Sequence, residues 1–165
     1  MSFGLAAFTI FHVLISLVGI FSGFVVVFGL LKSKRLDGWT ELFLATTVAT
    51  SVTGFMFPVH HVMPSHVVGT ISLVLLAIAL FALYGRKLAN AWRWIYVVTA
   101  LMALYLNFFV LIVQSFLKIP ALKELAPTQT EPPFKVTQLV ALVIFLALIV
   151  ASAIRFRPGP EPVAA

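Results

Sequence analysis

No Asp, Glu, Lys or Arg occurs from Met1 to Leu31, and none between Glu41 and Arg86. A helix needs about 20 predominantly apolar residues to cross a bilayer. Runs this long leave a chain few places to go, because lipid accepts a backbone only when its polar groups are satisfied internally, as a helix does. Composition agrees: 62% of the 165 residues are hydrophobic and 10% are charged, against about 25% charged in an ordinary soluble domain. The sequence reads as an all-α, polytopic membrane protein, one domain over residues 1–157. The first run has no basic leader and exceeds the roughly 7–15 apolar residues of a signal-peptide core, so it reads as a retained span.

Five spans follow, at about 4–31, 40–61, 66–85, 92–118 and 136–154, with four expected to form a compact bundle and one to lie at its edge. Lys32, Lys34, Arg35, Arg86, Lys87, Arg93, Arg155 and Arg157 cluster at one set of ends, and the other ends hold Lys118, Lys123 and Lys135. Positive residues favour the cytoplasmic side, which puts the N-terminus outside and the C-terminus in the cytoplasm. Trp39, Trp92, Trp94 and Tyr96 are expected at the inner boundary as an aromatic belt. Residues 118–135 form an outer loop or lid: PALKELA suits one short amphipathic turn, and TQTEPPF is expected to be extended, because successive prolines restrict their neighbours. Residues 158–165 read as a disordered tail.

Three of the four histidines fall within FPVHHVMPSHVVG, residues 57–69. Counting at about 1.5 Å per residue from the charged ends, His12, His60, His66 and Gln114 each come out about 28–31 Å up, in one layer near the outer face. His12, Ser16, Gly19 and Gly23 share one helical face, and small residues let membrane helices approach closely, so His12 is expected to point inward. Asn107 and Gln114 lie on a similar stripe of span four. Pro58 predicts a kink below His60 and His61. Ser65 is expected to cap span three, with His66 in its first turn.

These residues admit several chemistries. His12, His60, His61 and His66 are the candidate metal ligands, with Met56 and Met63 nearby; imidazole with thioether suits haem b or a copper-type ion. His12, His66, Gln114 and Asn107 are the candidate cofactor-binding residues. The plainer alternatives are solvated interfacial histidines and amides that hydrogen-bond neighbouring helices. HHxxxxH matches no defined zinc or copper signature. The general plan is similar to small membrane b-type cytochromes, a likeness of architecture without a shared motif, which carries no residue over.

Much is excluded. The chain has no cysteine, hence no disulfide, thiolate metal site or iron–sulfur cluster. The net charge of +6 belongs to topology and anionic lipid rather than nucleic acid. No Ser-His-Asp pattern, HExxH or phosphate loop occurs. The absence of charge inside the spans disfavours an ion-coupled pump. The leading expectation is haem or metal binding near the outer face of a bacterial cytoplasmic membrane, for electron transfer or metal handling. The alternatives are a non-catalytic accessory subunit, packed against other membrane subunits or a second copy, and a quinone-binding protein.

Overall fold

The computed structural model describes residues 3–57 and 64–157. Among them are six α-helices and no strand: α1 Phe3–Leu31, α2 Asp37–Gly54, α3 Pro64–Leu80, α4 Trp92–Lys118, α5 Pro120–Leu125 and α6 Pro132–Arg155. A single π-helical turn, Phe81–Gly85, extends α3. Four segments are long and apolar enough to cross a membrane: Gly4–Leu31, His66–Gly85, Trp92–Lys118 and Pro132–Arg155.

The exception is α2. Its sequence, DGWTELFLATTVATSVTG, is rich in β-branched threonines, which are weak helix formers. They are accommodated because their hydroxyls donate to carbonyls one turn back: Thr46 to Leu42, Thr47 to Phe43, Thr50 to Thr46 and Thr53 to Ala49. The helix ends at Gly54, not at residue 61 as the sequence predicts, and Phe55–Phe57 turn away. The count of helical rise from Glu41 therefore stops at Gly54. The expected kink at Pro58, together with His60, His61 and Met63, lies outside the described residues.

Helices α1, α2, α3 and α4 form a ring, each packed against the next and α4 closing on α1. This puts α1 diagonally across from α3. The peripheral helix is α6, which lies against α4 and α1. Close approach is built on small residues. A Cβ at Gly23 would sit 2.5 Å from Leu104 Cδ1 and 3.1 Å from Phe43 Cδ2; one at Gly19 would sit 3.1 Å from Thr46 Oγ1. The glycine face of α1 is thus consumed inside the bundle, against α2 and α4. Ala100 and Ala103 on α4 are fully buried, as are Phe43, Leu101 and Leu104. Outward faces remain apolar: Phe21, Phe28 and Ile154 are each more than 60% exposed.

Three local expectations are corrected. Tyr96 is no belt residue: it is 1% exposed, whereas Trp39 and Trp94 are open. The PPF of TQTEPPF is helical, because Pro132 and Pro133 occupy the first turn of α6, where a missing N–H costs nothing. The residues before it turn rather than extend, with Gln129 at positive φ, and Glu131 holds them: its carboxylate accepts from the Thr128 hydroxyl at 2.8 Å and from the Thr128 and Thr130 amides. And α3 begins at Pro64, so Ser65 lies within its first turn rather than before it. The PALKELA turn forms as α5.

Candidate ligand cavity

A cavity of about 460 Å³ opens inside the four-helix ring, at the end away from the arginines. That is within the range of small-molecule sites. Helix α1 contributes Thr9, His12, Val13 and Ser16; α2 contributes Thr50, Ser51 and Gly54; α3 contributes His66, Gly69 and Ser72. Asn107, Val110, Gln114 and Lys118 line it from α4. Most of the wall is hydrocarbon, with a few polar groups at intervals.

The inward stripe of α1 accounts for two of those groups. His12 Nδ1 lies 2.8 Å from Thr53 Oγ1. The Thr53 hydroxyl has one hydrogen, and it lies 2.7 Å from the Ala49 carbonyl, to which it donates. With that hydrogen on the Ala49 carbonyl, the hydroxyl is left to accept from His12, an assignment that puts the imidazole proton on Nδ1 and leaves Nε2 with its lone pair. The ring edge packs against Phe57, centroids 5.1 Å apart. One turn further on, the Ser16 hydroxyl donates to Asn107 Oδ1 at 2.8 Å. Asn107 is 8% exposed, and its Nδ2 has no hydrogen-bond partner among the described residues. A buried amide nitrogen without an acceptor carries a desolvation cost of about 1–3 kcal/mol.

Opposite these, His66 stands in the first turn of α3, its ring 5.5 Å from that of Phe55. Ser72, two turns along α3, is linked to Ser51 of α2 at 3.3 Å. The structure thus brings four of the predicted residues, His12, His66, Asn107 and Gln114, to one cavity. The described residues include no group of three His, Asp or Glu side chains placed to share a metal ion. Neither Thr53 nor Ser72 is among the candidate residues read from the sequence. The i, i+3 spacing of Thr50 and Thr53 was the available signal for a face turned toward α1 and the cavity.

No known family, curated protein or solved structure matches this chain.

Proposed function

We propose that the chain is an integral membrane protein whose cavity binds the headgroup of a lipophilic quinone or quinol. Five passes, with α2 as the short and least apolar one, put the arginine-rich ends in the cytoplasm by the positive-inside bias and the cavity near the outer face. The observation that carries the reading is a buried amide donor with no acceptor among the described residues, Asn107 Nδ2, on a residue that lines an otherwise apolar cavity together with His12. Turned toward the cavity, the Asn107 amide would donate to a quinone carbonyl, and the His12 ring nitrogen not used by Thr53 would pair with a quinol hydroxyl. A ring with an isoprenoid tail suits hydrocarbon walls set between membrane helices.

The test is extraction of the protein purified from its native membrane, followed by mass analysis of the lipid-soluble fraction. Quinone is expected with the wild type and depleted in Asn107→Leu, which removes the donor while keeping similar bulk. An extract without quinone, together with no change in unfolding temperature on adding quinone, would sink the reading.

One observation favours a second reading, a haem held between His12 and His66. The two residues stand on diagonally opposed helices and face one cavity, and a histidine that ligates a metal ordinarily donates its other N–H, as His12 does to Thr53. A Soret band lost in both His12→Ala and His66→Ala would select it over quinone. A copper-type site would have to draw on His60 or His61 as well.

A further inference from the structure

At the opposite end of the bundle, the turn before α4 holds three non-glycine residues at positive φ, Lys87, Leu88 and Asn90. The buried Leu88 side chain anchors this turn against the core, which leaves Asn90 standing beside the start of α4. The chain leaving α6 is tied to the same place: Arg93 donates to the Phe156 carbonyl, and the Ser33 hydroxyl both accepts from the Arg157 amide and donates to the Arg157 carbonyl, each at 2.9 Å. A pocket of about 360 Å³ lies between these segments, lined by Leu88, Asn90, Arg93 and Arg157. Among the described residues, neither arginine forms an ion pair; the carboxylate of Asp37 is taken by Arg35.

We infer that this pocket binds a phosphate group, held by the guanidiniums of Arg93 and Arg157 with the Asn90 amide as a further donor. A guanidinium carries five N–H donors in a fixed fork that matches phosphate oxygens. Arg93 commits one to Phe156 and keeps the rest. Two such groups around one concave space, with no carboxylate paired to either among the described residues, create a deficit of negative charge that an oxyanion fills. The level of the pocket favours a lipid as its carrier. It sits where α4 begins and α6 ends, at the edges of two apolar spans, beside the exposed Trp94. That is the depth of phospholipid headgroups. The inference is independent of what the histidine-side cavity holds.

The test uses the full-length protein in phosphatidylcholine nanodiscs and reads its unfolding temperature. Adding phosphatidylglycerol is expected to raise it. Arg157→Lys keeps the charge but loses the fork, and is expected to lose most of the rise; Arg93→Lys is expected to do the same. Arg155→Lys, outside the pocket lining, is expected to keep it. A similar rise in the wild type with inorganic phosphate, lost again in Arg157→Lys, would identify the free anion as the occupant. An undiminished rise in Arg157→Lys would mean diffuse charge alone, and no rise with either lipid or phosphate would mean no site; each overturns the inference.

Discussion

The Ser16 hydroxyl donates to Asn107 Oδ1 across the α1–α4 interface, and this bond decides which half of the amide is left for a ligand. With the oxygen engaged, Nδ2 is the group without a partner. Ser16→Ala therefore has two expected effects. Loss of an interhelical bond between membrane helices lowers stability by about 1 kcal/mol, read from unfolding in detergent. The freed amide can also rotate, so quinone retention falls although Asn107 itself is unchanged. A Ser16→Ala protein that binds quinone like the wild type would show that the amide's orientation is held by something else.

Thr53 sets the tautomer of His12 because its own hydrogen is committed to Ala49. In protein carrying ¹⁵N-histidine, His12 is expected to show a protonated Nδ1 and an unprotonated Nε2 at neutral pH. Thr53→Val keeps the volume and removes the acceptor. The Nδ1–H form then loses its preference, and the histidine spectrum is expected to shift toward a mixture of tautomers. An unchanged spectrum in Thr53→Val would remove the basis for an available Nε2.

Several helix ends were legible because charge marks them: Lys32 follows α1, Arg93 lies in the first turn of α4 and Arg155 closes α6. The inward direction of His12 was legible too, since its face is shared with Ser16, Gly19 and Gly23, and small residues belong at helix contacts. What failed depended on local backbone choices that hydropathy does not record. Apolar residues continue past Gly54, so nothing in their pattern marks the end of α2 there. Paired prolines read as a break, although they are compatible with a helix's first turn. The approach of Thr53 to His12 depends on how α1 and α2 are rotated about their axes, which single-helix periodicity leaves open. The same is true of Tyr96, whose ring turns into the core although its position along α4 matches the aromatic belt.

The glycine contacts of α1 carry a graded expectation. A methyl at Gly23 meets the side chains of Leu104 and Phe43, both fully buried. Neither can move without displacing others in the core, so Gly23→Ala is expected to cost about 1–3 kcal/mol, the usual penalty of overpacking. Gly4→Ala is the control: nothing lies within 4 Å of its added carbon, and its stability should match the wild type. Equal unfolding midpoints for the two variants would contradict the close approach of α1 to α2 and α4.

Glu131 gives the segment before α6 a pH dependence of defined sign. Desolvation, the largest single influence, raises its carboxyl pKa, but the Thr128 hydroxyl and the amides of Glu131, Thr128 and Thr130 donate to the charged form and together outweigh it, leaving the pKa below its ordinary value. A lowered folded-state pKa means the unfolded chain binds its proton first as pH falls. The stabilisation is complete above the ordinary carboxylate range and is lost as pH drops through the lowered value. Amide exchange at Thr128 and Thr130 reports this locally. Relative to Glu131→Gln, whose neutral amide lacks the charge at every pH, the wild type is expected to protect these amides near neutrality. The two should converge in acid, where the carboxyl is protonated. Protection that is equal in both proteins at neutral pH would mean that the turn is held by its backbone and the prolines alone.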